Sequence, residues 1–353
     1  MLRIGMKTAM VAAVAAAGLL AACSGGGGSS SSSPAPSSSS AAPTTSTAPT
    51  TSAAPTTSAP KEILIGVSFY TERIPMYVTM HEGIQAAADA AGVKVEFADG
   101  NFDPQVQSDQ IAAFVQKGAA AIIASPLDSA ALAPAYKAAR DAGVIMISAA
   151  NKVDDASEDA YVGPDLSGYA QQTLERAIEA IGGKGEIGII SGPPTIAFVQ
   201  LQQKGWDAAL AAHPDVKVAS QQVDDDLSTA KGVDIATSML QANPNIKAII
   251  SSTDDISMGV IQAMGTAGVD PKSVFTAGWD ATDAAITAIK GGTYNLTLSY
   301  LAYKWGQVAF QTALDAANGK MPASHYVVTE GLFIDPSNVN TLTPGQISGK
   351  DPL

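Results

Sequence analysis

ILIGVSFYTERIPMYVTMHEGIQAAADAAGVKVEFA, Ile63 to Ala98, is the stretch whose reading decides the fold. It opens with ILIGVSF (63–69), an apolar and β-branched run of strand length. Helical patterning follows in MYVTMHEGIQAAADAAG, where Tyr77, Met80, Ile84 and Ala88 recur at steps of three or four and share one face. Gly92 supplies the stop signal. VKVEFA (93–98) then reads as a second strand. Strands with nearly continuous apolar runs suit a parallel sheet covered on both faces. A strand–helix–strand unit with short joins closes as a right-handed crossover.

The same rhythm continues outward. AAIIAS (120–125) and VIMIS (144–148) are further strands, separated by PQVQSDQIAAFVQKG and SAALAPAYKAARDAG, each ending at glycine. A second series follows: EIGII (186–190), VKVASQQ (216–222), IKAIIS (246–251) and VFTAG (274–278). Its helices include AFVQLQQKGWDAALAAH and STAKGVDIATSMLQA. In the first of these, Phe198, Leu201, Gly205 and Ala209 are expected on one face, with Trp206 and Leu210 alongside. The chain from Lys61 onward is too long for one ordinary core and comfortable for two. The expected fold class is therefore α/β, with two doubly wound parallel-sheet (Rossmann-like) lobes. Ligands of such sheets bind outside the carboxyl ends of the strands, so two facing edges make a cleft.

What precedes this body has a different character. Arg3 and Lys7 lie ahead of TAMVAAVAAAGLLAA, an uncharged run too short for the ~20 apolar residues of a membrane span. That order is a signal peptide's, expected over residues 1–22. Leu20-Ala21-Ala22-Cys23 resembles the lipobox of bacterial lipoproteins, which implies a lipidated Cys23. Cys23 is the single cysteine, so no internal disulfide can form. Residues 23–60 are this cysteine and a Ser/Pro/Thr/Ala linker with nothing to bury, expected to be disordered. A coil of that composition spans roughly 35 Å, enough to tether a body beside a membrane.

Charge and spacing exclude several function classes. Net charge is −13, and no basic stripe offsets nucleic-acid phosphate. His81, His213 and His325 lie far apart, without metal-ligand spacing. No nucleophile–base pattern or GxSxG occurs. Gly183 to Gly188 has G-x-G-x-x-G spacing, but it follows a helix and leads into a strand, so it reads as a turn. No catalytic residue, metal or cofactor is expected.

ILIGVSFYTERIPMY resembles the opening of type I periplasmic sugar-binding proteins, the ribose- and galactose-binding group. QIAAFVQKGAAAIIASPLDSAAL, YVGPDLSGYAQ, IISSTDDISMGVIQAMGTAG and VFTAGWDAT resemble, in order, further segments of that group, so the resemblance covers Ile63 to Ile334. It implies three interlobe crossings, near Gly163–Asp165, Tyr300–Leu301 and Thr329–Gly331. The lobes would then be 61–163 with 301–329, and 164–300 with 330–353, joined by a three-segment hinge.

The same resemblance implies a ligand site. Met76, with Tyr77 beside it, matches an aromatic that stacks on the sugar, and Tyr70 lies in the same turn. Ile74 matches a polar contact that it cannot reproduce. Asn151 matches the strand-end contact of the first lobe. Gln200 stands where the group has arginine, Thr253 where it has Asn, and Tyr300 where it has Asn or Gln. Asp280 matches the aspartate of the second lobe's strand end, and also reads as the N-cap of the DATDAAITAIKGG helix. Asp254 reads more as a cap than a contact, and Trp279 and Trp305 as packing. With the arginine absent, the implied ligand is an uncharged sugar, deoxysugar, sugar alcohol or small polyol. The implied function is that of an exported, lipid-anchored, monomeric solute-binding protein of an ABC importer, delivering its ligand to a permease. The alternatives are a subunit presenting the ligand to a membrane sensor, and an envelope enzyme on the same fold.

Overall fold

The chain begins its first strand, β1 (Leu64–Phe69), within a computed structural model that describes residues 62–154 and 156–353. The signal peptide, Cys23 and the linker lie outside the described residues. Strand and helix then alternate: α1 (Pro75–Ala91), β2 (Lys94–Asp99), α2 (Pro104–Gln116), β3 (Ala121–Ser125), α3 (Ser129–Asp141), β4 (Ile145–Ala149), β5 (Ala160–Pro164) and α4 (Leu166–Ala180). The second series is β6 (Gly185–Ser191), α5 (Ala197–Ala212), β7 (Val216–Val223), α6 (Thr229–Ala242), β8 (Ile246–Ser251), α7 (Asp254–Ala267), β9 (Phe275–Ala277) and α8 (Asp283–Lys290). The chain closes with β10 (Thr297–Ser299), α9 (Ala302–Ala317), β11 (Tyr326–Thr329), β12 (Leu332–Ile334) and α10 (Pro344–Ser348).

Two parallel sheets result, with orders β11-β5-β4-β3-β1-β2 and β7-β6-β8-β9. In each, the first strand of its series has the second on one side and the third on the other, which is the doubly wound order. β10 and β12 form an antiparallel pair, and a bridge from Ala277 to Leu296 ties this pair to the second sheet.

Alternation along each strand feeds cores on both faces. Ala121 and Ile123 pack with α1 and α9 residues such as Met80, Ile84, Trp305 and Phe310. Ile122 and Ala124 pack on the opposite face with Phe114, Leu132 and Tyr136 from α2 and α3. The second sheet repeats this: Ile187 and Ile189 face Leu174 and Trp206, whereas Ile190 and Ile249 face Met239 and Val260. The α1 face expected from spacing is the buried one. Gly83 belongs to it because a Cβ there would sit 2.0 Å from the carbonyl oxygen of Tyr303 in α9, so the two helices meet almost backbone to backbone.

One helical face is shifted from expectation. α5 buries Val199, Gln202, Gly205, Trp206 and Ala209, while Leu201 is exposed and Phe198 half-buried. Gln202 displaces the apolar choice because its amide donates to the Ser252 carbonyl oxygen at 2.9 Å, which makes burial of a polar side chain tolerable.

The chain passes between the sheets three times. It leaves the first after β5 and enters α4, which packs on α5. After β10 it returns through α9, which packs on α1 and β3 to β5. Between β11 and β12 it crosses again, where the Gly331 N–H donates to the Tyr169 hydroxyl at 2.6 Å. Among the described residues, no helix is long and apolar enough to cross a membrane.

Candidate functional site

Most strands of both parallel series end in a turn that leads toward a helix, β4 and β11 excepted, so polar turn residues collect at the carboxyl edges. In the first series β1 runs into Tyr70–Ile74, β3 into Pro126–Asp128 and β4 into Ala150–Asn151. Tyr77 is fully buried; its hydroxyl shares a 2.8 Å hydrogen bond with Ser125 Oγ, and its ring meets Phe69 and Tyr70 with centroids 5.0 Å apart. Tyr70 also contacts the exposed Phe102 at 5.6 Å, and Met76 is half-buried against the same core. Ala150 takes φ 67°, which turns Asn151 back so that its N–H reaches Ser125 Oγ at 3.3 Å and its Nδ2 reaches the Pro126 carbonyl oxygen at 3.1 Å. Asn151 Oδ1 makes no hydrogen bond among the described residues.

The second series is built around Asp254. This residue is fully buried at the start of α7, and its carboxylate accepts from the Thr282 N–H (3.0 Å), the Tyr294 hydroxyl (2.8 Å) and the Thr297 hydroxyl (2.9 Å). Burial pushes its carboxyl up to about 7, against the opposing pull of those three donors. Asp254 therefore ties three segments into one floor rather than capping its helix; the cap of α7 is Thr253, whose Oγ accepts from the Ile256 N–H.

Asp280 stands on that floor. Its N–H donates to the Leu298 carbonyl oxygen at 2.9 Å, and its backbone has φ 111°, with Ala281 at φ 52°. Two consecutive non-glycine residues in this region are costly, and such strain concentrates where a side chain must be aimed. The Asp280 carboxyl and the Tyr300 hydroxyl are near enough to influence each other's ionisation. Burial raises the Asp280 pKa well above the usual carboxylate value, the Asp254 charge raises it further, and the neighbouring Tyr300 hydroxyl opposes both. Asp280 is nonetheless exposed to water. A group that touches water while protein encloses it on most sides lines a crevice. The expected N-cap role is overturned: α8 begins two residues later, and its cap is Thr282, whose Oγ accepts from the Ala285 N–H at 3.2 Å. Positive φ at Asp280 and Ala281 is the reason, because the turn has to finish before helical geometry starts.

Tyr300 joins the two sheets. Its ring lies 6.1 Å from Trp279 of the second core and 6.2 Å from Trp305 of the first. Both tryptophans are buried packing residues, as expected. Burial and then the Asp280 charge raise the Tyr300 pKa. Tyr161 in β5, outside the expected set, is close enough to interact electrostatically with both Tyr77 and Tyr300. Its hydroxyl donates to the Ala150 carbonyl oxygen at 3.1 Å, holding the turn that carries Asn151. The available signal was its place in YVGP, on the strand just before the first passage between sheets.

The remaining expected residues serve their own turns. Gln200 is exposed, and its Nε2 donates to the Pro194 carbonyl oxygen at 2.8 Å. Asp224, after β7 and outside the expected set, is fully buried, and its Oδ1 accepts from the N–H groups of Asp226 and Ser228. Its Oδ2 has no partner among the described residues, as is also true of Gln202 Oε1 and Ser251 Oγ. Among the described residues no cluster of three or more His, Cys, Asp or Glu could hold a metal ion.

Residues 65–321 match the family model described as "Periplasmic binding protein domain". The chain is 24% identical over 260 residues to the ribose import binding protein RbsB of Bacillus subtilis, covering 74% of this chain and 83% of that protein. It is 26% identical over 235 residues to a xylitol-binding protein of Mycolicibacterium smegmatis, covering 65% of each chain. A solved solute-binding protein of an ABC transporter from Actinobacillus succinogenes, with bound D-allose, superposes with a TM-score of 0.71 at 25% identity, covering 79% of this chain and all of that one.

Proposed function

Because this chain belongs to the periplasmic binding protein family, we propose that it binds a sugar or sugar alcohol without altering it and hands it to the permease of an ABC importer. The observation that carries this is the exposed Asp280 carboxyl, set beside Tyr300 among surrounding protein at the carboxyl edge of a parallel sheet. A carboxylate accepts hydroxyl protons, and Asn151 both donates and accepts, so one residue from each sheet's edge would hold opposite sides of a polyhydroxylated ligand. Tyr70, Met76 and Tyr300 would supply the apolar walls, with Tyr77 packed behind them in the core rather than at the expected ligand contact, and with Gln200 and Thr253 at the second edge. The names of relatives support this ligand class, including one pentose and one sugar alcohol. The three passages between sheets support a hinge, with lobes 61–163 plus 301–329 and 164–300 plus 330–353 that close on the ligand. The motif Leu20-Ala21-Ala22-Cys23 supports a lipid anchor on Cys23 at the outer face of the cell membrane, from which a monomeric body reaches its permease.

A melting screen of neutral sugars and polyols tests the reading. Ligand at a hundred times its dissociation constant adds ~2.7 kcal/mol of stability, a shift that melting resolves readily. Calorimetry with the strongest hit should show Asp280→Ala weaker by roughly 30-fold or more, as expected for loss of a charged partner in an enclosed site. Stabilisation by amino acids, nucleosides or anions alone would overturn the ligand class, and undiminished affinity in Asp280→Ala would remove Asp280 from the site.

A further inference from the structure

The opposite, amino edge of the second sheet carries a pocket. It has a volume of about 730 Å³ and is lined by the starts of β6, β8 and β9, with Lys184, Lys247 and Lys272 contributing to one wall set. Parallel strands that begin side by side place their first residues together, so lysines far apart in sequence converge here. Glu186 pairs with Ile246 across β6 and β8, and a Cβ on Gly185 would lie 3.7 Å from Lys247 Cγ.

The charges of this pocket are unbalanced. Lys94, Lys117, Lys137, Lys231 and Lys304 each pair with a carboxylate. Lys184, Lys247 and Lys272 are exposed and form no ion pair among the described residues, which is also true of Lys204, Lys217, Lys290, Lys320 and Lys350; what sets the three apart is that they line one pocket. Glu186 is the one carboxylate lining the pocket against these three ammonium groups. Asn245, Ser273 and Asn295 add neutral polar groups. Asn295 Oδ1 already accepts from the Thr276 N–H at 2.9 Å, which leaves its Nδ2 as a donor. Helix carboxyl ends also point to this edge, and α4 ends at the pocket wall; that favours a lysine near a helix end. It does not account for three unpaired ammonium groups around one cavity in a chain of net charge −13.

We propose that this pocket binds a phosphate-bearing anion, at a site separate from the ligand cleft. Three ammonium groups with carboxamide and hydroxyl donors exceed what the two oxygens of a carboxylate accept, and match the three or more oxygens of a phosphate group. Lysine serves phosphate as a point charge. The pocket has room for more than one phosphate group, so either a soluble phosphate ester or an anionic lipid headgroup fits it.

The test uses the full chain carrying Cys23→Ser, so that no acyl group contributes to vesicle binding. Inorganic pyrophosphate is titrated by calorimetry at low ionic strength, and flotation is measured with phosphatidylglycerol and with phosphatidylcholine vesicles. Affinity should fall about tenfold or more in Lys184→Gln/Lys247→Gln/Lys272→Gln, but not in the control Lys204→Gln/Lys320→Gln, and should weaken with salt. Pyrophosphate binding without flotation identifies a soluble ester; flotation on phosphatidylglycerol alone or with pyrophosphate binding identifies the headgroup. Binding of neither probe, or equal binding by the triple variant and its parent, overturns the proposal. The melting temperatures of both variants, matched to the parent, show that the fold is intact.

Discussion

Asp254→Asn removes an ionisable group from the floor beneath Asp280 while keeping its shape. In the native chain burial holds the Asp254 carboxyl at about 7, whereas its ordinary value is 3.8. The unfolded state therefore binds fewer protons than the native state between those values, and stability falls as pH rises. The contribution of Asp254 is fully present below 3.8 and is lost as pH rises through about 7. For this one group the loss between pH 5 and pH 8 is roughly 2.5 kcal/mol. Asparagine cannot ionise, and its amide still accepts from one neighbour while the Tyr294 and Thr297 hydroxyls rotate to meet it. Urea unfolding of parent and variant across that range should show their difference changing by about that amount, with the variant gaining relative to the parent as pH rises. Asp254→Ala, which leaves three buried donors without an acceptor, should cost about 3–5 kcal/mol at pH 5 and less as pH rises, because it too lacks the titrating group. If the parent and Asp254→Asn keep a constant difference from pH 5 to pH 8, Asp254 does not hold its proton as the buried floor requires, and the electrostatic account of Asp280 above it falls with it.

Thr282→Ala should cost about 1 kcal/mol in thermal melting by removing the cap of α8, yet leave calorimetric ligand affinity within about twofold, because capping and ligand contact fall on different residues. A parallel loss of affinity would show that the turn and the cleft are not separable. Gly83→Ala should destabilise by about 1–3 kcal/mol, since its Cβ would meet the Tyr303 carbonyl oxygen at 2.0 Å; chemical denaturation that shows no change would mean that α1 and α9 can separate without loss.

Sequence by itself determined the class of fold and most of its elements. Apolar runs such as ILIGVSF and AAIIAS are strands because only β-rich surfaces buried on both faces are apolar throughout, and the Tyr77–Met80–Ile84–Ala88 spacing is the buried face of α1. These signals are local, repeating every two or three to four residues, and need no partner to be read. The short strands β10 to β12 carried weaker signals, since three or four residues hold too little periodicity. Tertiary structure decided whatever depends on residues distant in sequence. Gln202 is buried in place of Leu201 because Ser252, fifty residues on, offers it a carbonyl oxygen. Thr282, not Asp280, caps α8 because the hydrogen bond from Asp280 to Leu298 holds the turn at positive φ. Asp254 reads alone as a helix-start residue; only the fold brings Thr282, Tyr294 and Thr297 to its carboxylate and raises its pKa. Tyr161 joins Tyr77 and Tyr300 for the same reason, and so do the lysines at the amino edge: burial and electrostatics depend on distance in space, which the order of residues along a chain does not record.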